Sequence, residues 1–375
     1  MSKYAFSRPG INSLSGYCLL AFMAIGLASN IYALIVDKQP LTKDPFTTPA
    51  FLSGRVTKQI AERMADTFLP STSAQAERGV SWLAFGDLGP RVREGCKGWL
   101  FLTDELTSYK DAQANAAARA ATVTRVAARL KSQGIELLVA VVPDKTRIEH
   151  AKLCGLTRPA EFADRATTWL SALRKNGVQA IDLAAAMSNL KGEPFLRTDT
   201  HWSEVGANAA ATAIAARIQA VHTKDGLLGT PQNYKYVAGT PKPRAGDLTR
   251  LAGVDWLPLG WQPAQDIVAE SSFETAAGVT GAATTEEDAL FGDDNLPKAT
   301  VVGTSFSRNS NFVPFLEYRL GVKVANFGRD GGEFAGGAHA YFNSPAFKQT
   351  PPKLIIWEIP ERSLQRPLAG EEHLD

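Results

Sequence analysis

Two short stretches of the chain hold the residue types of nucleophilic ester chemistry. In Gly303-Thr304-Ser305-Phe306-Ser307 a serine follows the apolar run Ala299-Thr300-Val301-Val302, which reads as a strand. A serine at a sharp strand-to-helix turn, with a glycine two positions earlier, exposes its Oγ while its backbone N–H points toward a nascent oxyanion. In Arg197-Thr198-Asp199-Thr200-His201-Trp202-Ser203-Glu204 an acid and an imidazole stand two residues apart. A serine nucleophile needs a base to take its proton, and the base needs a carboxylate to fix its tautomer. Asp199 and His201 offer both within one loop. Ser203 reads as an N-cap with Glu204 in the first helical turn, so His201 lies just before a helix N-terminus. Acyl transfer suits a base that titrates near neutrality, which is the ordinary range of histidine.

Each piece also has a plain structural reading. Gly-Thr-Ser makes a good turn, and an Asp–His pair can simply tie a loop to a helix. Of the five histidines, His339 in Gly336-Gly337-Ala338-His339-Ala340-Tyr341 is the rival base. His150 lies in a polar stretch after a strand, His222 at a helix end and His373 in the terminal tail. A Cys-x-x-C or Cys/His cluster with zinc spacing is lacking, so no metal site is expected and no cofactor is called for.

The elements that would carry these residues alternate. Ile135 to Val142 is a near-continuous apolar run, as expected of a strand buried on both faces of a parallel sheet. Further strands read at 98–102, 178–182, 299–302, 322–326 and 354–357, with helices at about 110–133, 160–175 and 203–220 between them. Such alternation implies βαβ units and an α/β fold. Ligands then gather beyond the carboxyl ends of the strands, where Ser305 stands. Residues 222–297 break the pattern. They are rich in Gly, Pro and Thr, and Glu274 to Pro297 holds six acidic residues and no basic one. This stretch is expected to be an insertion or a long excursion on the sheet, partly mobile. Within it, Gly246-Asp247-Leu248 has no role that sequence assigns.

The remaining features concern location. The 375 residues carry 40 Lys+Arg against 38 Asp+Glu, a net charge of +2, which exerts no general pull on nucleic acid. From Ile11 to Val36 there is no charged residue or histidine, a run of 26. As a helix it would reach about 39 Å, more than the roughly 30 Å of bilayer hydrocarbon. Lys3 and Arg8 precede it, so the short tail is expected in the cytoplasm and the rest outside. An uncleaved anchor (1–40) is favoured over a cleaved signal peptide, because no clean small-x-small site closes the run. A linker and helical lead-in (41–94), a catalytic domain (95–365) and a tail (366–375) would follow. Outside the cytoplasm Cys96 and Cys154 can pair, which would contribute about 4 kcal/mol in the chain-entropy view. Two buried free thiols are an equal alternative, and Cys18 lies within the anchor.

Asp199-Thr200-His201-Trp202 and Gly303-Thr304-Ser305-Phe306 together resemble the catalytic blocks of the SGNH/GDSL hydrolase superfamily. They are closer still to its polysaccharide O-acetyltransferase branch, the alginate O-acetyltransferase AlgJ/AlgX type and a related protein of bacterial cellulose acetylation. Gly98-Trp99-Leu100-Phe101-Leu102, Val142-Pro143-Asp144-Lys145 and Ile356-Trp357-Glu358-Ile359-Pro360-Glu361-Arg362 are similar to that branch too. The resemblance implies a three-layer sandwich with a parallel central sheet. It also implies a Ser305–His201–Asp199 triad that acetylates hydroxyls of a secreted exopolysaccharide through an acetyl-serine. Thr304 replaces the Asp of Gly-Asp-Ser-Leu, and the Asp/His pair precedes the serine, as in the acetyltransferase branch. Asn326, at a strand end, is the expected second oxyanion donor beside the Ser305 N–H. Lys145, Trp202 and Arg308 are expected at the rim against the glycan. Expected partners are a membrane-bound O-acyltransferase delivering acetyl and other subunits of an exopolysaccharide secretion complex. An esterase of the same fold and a non-catalytic glycan-binding subunit are the competing readings, and the glycan itself stays open between alginate and cellulose.

Overall fold

The computed structural model describes residues 9–37, 42, 46–188, 190–221, 228, 232–276, 296–370 and 374. The chain divides into two compact units between Leu88 and Gly89.

The first unit is helical. Helix Pro9–Asp37 contains a 21-residue stretch, Ser13–Ala33, long and apolar enough to cross a membrane, with its side chains unburied. One N-terminal apolar helix of this kind fits a signal anchor and a signal peptide alike. Helices Thr48–Leu52, Arg55–Ala65 and Phe68–Phe85 follow.

The second unit holds all the candidate chemistry. Strands β1 (Val92–Glu94) and β2 (Leu100–Leu102) form an antiparallel pair, so residues 92–94 belong here rather than to a lead-in. Strands β3 (Glu136–Val142) and β4 (Gln179–Asp182) come next. The segment before the last three strands contains β5 (Asn233–Val237), β6 (Lys242–Arg244), β7 (Asp266–Val268) and β8 (Ser272–Ala276). These pair antiparallel as β5 with β8 and β6 with β7. Most of its acidic run lies outside the described residues. Strands β9 (Ala299–Gly303), β10 (Val324–Gly328) and β11 (Leu354–Pro360) complete the strands among the described residues.

Five strands make one parallel sheet in the order β10-β9-β11-β3-β4. Because successive strand residues face opposite sides, an unbroken apolar run buries both faces. In β3, Leu137, Val139 and Val141 enter one core cluster, while Leu138, Ala140 and Val142 enter another. The first cluster is covered by helices Ala112–Ser132, Arg165–Lys175 and Gly336–Phe342, the second by Glu204–Val221 and Phe312–Leu320. The result is the expected three-layer α/β sandwich. All five strands point their carboxyl ends to one edge, and Ser305, Glu361 and Lys145 follow directly beyond three of them.

Cys96 and Cys154 are joined, closing a loop across 58 residues that contains β2, helix Ala112–Ser132 and β3. Cys18 is free and exposed.

Candidate active site

The sharp turn after β9 is built by Thr304. Its hydroxyl accepts from the Phe306 N–H at 3.3 Å, capping the short 3-10 turn Ser305–Arg308. Ser305 is the first residue of that turn, so its N–H has no acceptor inside it. The partner loop ends where Ser203 Oγ accepts from the Gly206 N–H at 3.3 Å, the N-cap of helix Glu204–Val221. Between Pro194 and that cap the chain turns back on itself through a Phe195–Trp202 bridge, and side chains from elsewhere hold the backbone of Arg197, Thr198, Asp199 and Thr200.

These two loops bring three side chains into one line. His201 Nε2 lies 2.7 Å from Ser305 Oγ, and His201 Nδ1 lies 2.6 Å from Asp199 Oδ1. The His201 backbone N–H also donates to Asp199 Oδ1, at 2.9 Å. With Nδ1–H directed to the carboxylate, Nε2 is left to accept the serine proton. Burial opposes the Asp199 anion. Hydrogen bonds from the His201 ring and backbone, with the nearby charges of His201 and Arg244, outweigh it and hold the carboxyl well below the usual carboxylate range. His339, the rival base, is exposed on helix Gly336–Phe342, and His150 is exposed as well. His222 and His373 lie outside the described residues.

A second carboxylate supports the first, and sequence gave it no role. Asp247 accepts from the Thr200 N–H at 2.7 Å and from the Thr200 hydroxyl, and its own N–H donates to Asp199 Oδ2 at 3.3 Å. Its Oδ2 is 3.7 Å from His201 Nδ1. Burial, then the charge of Asp199, raise its pKa. Gly246 explains why this approach is possible. A Cβ there would lie 1.9 Å from the Thr198 carbonyl oxygen. Asp266 pins the other side of the loop, accepting from the N–H groups of Arg197 (2.9 Å) and Thr198 (3.0 Å) and from the Thr198 hydroxyl (2.7 Å). The excursion between helix Glu204–Val221 and β9 thus returns twice to brace the Asp199–His201 loop.

Asp199, His201 and Asp247 each place one ligand-type atom within 4.8 Å of the others. Those atoms are engaged by protein donors: Asp199 by His201 and by the Asp247 N–H, and Asp247 by Thr200.

Two expectations need correction. Lys145 is not at a rim. It is 1% exposed, and its Nζ donates to the carbonyls of Leu100 (2.7 Å), Arg197 (2.9 Å) and Asp199 (2.9 Å). The rings of Trp99 and Phe101 flank it at 5.4 and 5.2 Å. Desolvation lowers its pKa to about 8. Trp202 is also buried, its Nε1 donating to the Asn309 carbonyl and its ring packed on Phe306 and Phe312. Asn326 gives one Nδ2 hydrogen to the Ser307 carbonyl at 2.8 Å and its Oδ1 accepts from the Gly328 N–H, tethering β10 to the turn. Arg308 is the one expected rim residue found on the surface, 3.5 Å from Asp330.

Asp144 and Glu361, after β3 and β11, are buried together and share Arg158 and Arg165, while Arg147 joins Glu361 to Asp182. This ionic knot ties the carboxyl ends of β3, β4 and β11 into one floor.

A parallel sheet with a serine turn beyond one strand, and an Asp-x-His loop folded onto it, is the arrangement of an SGNH hydrolase-like domain. Residues 92–361 match the family described as "SGNH hydrolase-like domain, acetyltransferase AlgX", and the chain belongs to that family. It is similar to the probable alginate O-acetylase AlgJ of Pseudomonas syringae pv. tomato, 33% identical over 84% of this chain and 79% of that one. The AlgJ of Pseudomonas putida is 36% identical over 75% and 72% of the two chains. Among solved structures, the O-acetyltransferase domain of Pseudomonas putida AlgJ superposes with a TM-score of 0.63 at 30% identity, covering 75% of this chain and 94% of that chain. Pseudomonas aeruginosa AlgX shares the fold, with a TM-score of 0.54 at 24% identity over 72% and 62%.

Proposed function

We propose that the protein is a polysaccharide O-acetyltransferase that works through an acetyl-serine at Ser305. The observation that carries this reading is the 2.7 Å approach of His201 Nε2 to Ser305 Oγ, with Asp199 behind the ring. His201 takes the Ser305 proton as Oγ bonds to the acetyl carbonyl carbon. The oxyanion is met by the Ser305 N–H. On collapse the bond to the donor breaks and His201 returns the proton to the leaving group. A sugar hydroxyl then gives its proton to His201, attacks the acetyl-serine and leaves acetylated, and the proton returns to Oγ. Asp199 stays ionised and stabilises the imidazolium.

The family membership and the AlgJ relatives support a secreted exopolysaccharide of the alginate kind as acceptor. The apolar helix Ser13–Ala33 supports export, with the second unit held outside the cytoplasmic membrane in the periplasm. A membrane-bound O-acyltransferase would then present the acetyl group, and other subunits of a polysaccharide secretion complex would surround the enzyme. Full-length protein in detergent micelles, given an acetyl ester and oligomannuronate or cello-oligosaccharide, should yield acetylated oligosaccharide by mass spectrometry. Ser305→Ala and His201→Ala should abolish it. Release of acetate alone, with no acetylated sugar from either acceptor, would replace transfer by hydrolysis.

A further inference from the structure

The nucleophile turn rests on a carboxylate that the mechanism above does not use. Glu358 lies in β11, the neighbour of β9, and is fully buried. Its Oε2 accepts from the Thr304 N–H at 2.7 Å and from the Ser307 hydroxyl at 2.9 Å. Both carboxylate oxygens lie within reach of the Thr304 hydroxyl, at 3.1 and 3.0 Å. Donors from the residues on both sides of Ser305 therefore converge on one side chain, and only an acceptor without protons of its own satisfies all of them. Gly303 makes room for it. A Cβ at that position would lie 2.5 Å from Glu358 Oε2 and 2.8 Å from its Cβ. Burial raises the Glu358 pKa, while these hydrogen bonds and the charge of Arg362 act to lower it.

Counting the N–H groups at the start of the turn shows what this achieves. That of Thr304 goes to Glu358, that of Phe306 to the Thr304 hydroxyl, and that of Ser307 to the Thr304 carbonyl at 3.2 Å. The Ser305 N–H is left without an acceptor among the described residues.

We infer that Glu358 is a positioning residue for the oxyanion: by binding Thr304 and Ser307 it holds the turn so that the Ser305 N–H faces the developing charge. This rests on the reading of Ser305 as nucleophile. A donor that engages only the transition state changes kcat and leaves ground-state binding alone.

The test uses full-length protein in detergent micelles, with 4-nitrophenyl acetate as substrate and phenylboronic acid as a tetrahedral analogue. In the boronate adduct the Ser305 Oγ–B bond forms and the serine proton passes to His201. Glu358→Ala should lower kcat about 100-fold, the effect of losing one oxyanion donor, with KM unchanged and the boronate Ki raised by a similar factor. Glu358→Gln keeps the volume but brings two N–H groups toward three donors, and should lose about tenfold in both kcat and Ki. A role confined to stability would lower Tm and the fraction of titratable sites, leaving kcat per titrated site and Ki at wild-type values in both variants. That result overturns the inference while the nucleophile stands. Wild-type turnover in Ser305→Ala would instead remove the nucleophile and the inference with it.

Discussion

The buried ammonium of Lys145 donates to the backbone carbonyl of Asp199 at 2.9 Å, so the loop that carries Asp199 and His201 is held from beneath by a cation that never meets solvent. Two further carbonyls, of Leu100 and Arg197, share it. This cation joins β2 to the Asp199–His201 loop and is caged by Trp99 and Phe101.

Lys145→Met should therefore misplace the loop, lowering kcat more than tenfold and removing about 3 kcal/mol of stability by stranding the buried Leu100 and Asp199 carbonyls. Its pH dependence has a definite direction. The folded pKa, about 8, is below the ordinary lysine value of 10.5, so between these values the unfolded chain binds more protons. The contribution of this group to unfolding free energy thus rises with pH across that window. Chemical denaturation at pH 7 and pH 9.5 should show wild type gaining on Lys145→Met at the higher pH. An unchanged difference would mean that Lys145 titrates alike in both states.

Asp247 and Asp199 should separate kinetically. Asp199→Asn removes the group that fixes the His201 tautomer and should cost about 10³- to 10⁴-fold in kcat, as expected of a triad acid. Asp247→Asn loses the anion that binds Thr200 and should cost only about tenfold, because Asp199 still contacts the ring. Stopped-flow acylation with a chromogenic acetyl ester measures both. Equal losses would make the two acids one functional unit.

Gly246→Ala would drive a Cβ into the Thr198 carbonyl, 1.9 Å away, and should displace Asp247 with its short helix. The expected cost is about 1–3 kcal/mol of overpacking together with a fall in kcat. Gly260→Ala, with nothing within 4 Å of the added carbon, is the matched control and should leave both unchanged. Thermal melts and ester turnover of the two variants decide it.

Reduction of the Cys96–Cys154 bond should lower stability by about 2–5 kcal/mol, since it closes a loop that carries β2, β3 and Lys145. A melt with and without reductant should show the drop in wild type and none in the Cys96→Ser/Cys154→Ser double variant. A Tm insensitive to reductant would mean that the bond adds nothing to the fold.

The sheet was legible because β3, β9 and β11 are apolar on both faces, which only burial between two helical layers explains. Asp199, His201 and Ser305 each had a plain structural reading alone, and were singled out because their two blocks together resemble one family's catalytic pattern. Asp247, Asp266 and Glu358 were not, because each acts on a partner about 50 to 70 residues away in sequence and carries no local pattern. Lys145 misled for a related reason: a lysine after a strand looks solvated until three carbonyls from two other segments close over it. Asn326 stood at the right edge of the sheet, where its amide ties β10 to the Ser307 carbonyl. The cysteines left pairing undecided because spacing alone does not report distance, and the fold brings their Cα atoms to 5.0 Å.

The central claim is that acetyl passes through Ser305. Full-length protein quenched in acid within the first turnover of an acetyl ester, then digested and sequenced by tandem mass spectrometry, tests it most directly. The account predicts one added acetyl group on Ser305 in wild type, accumulating in the absence of acceptor and discharged when oligosaccharide is added. Turnover at the wild-type rate with Ser305 unmodified, or with acetyl on another residue, would contradict it.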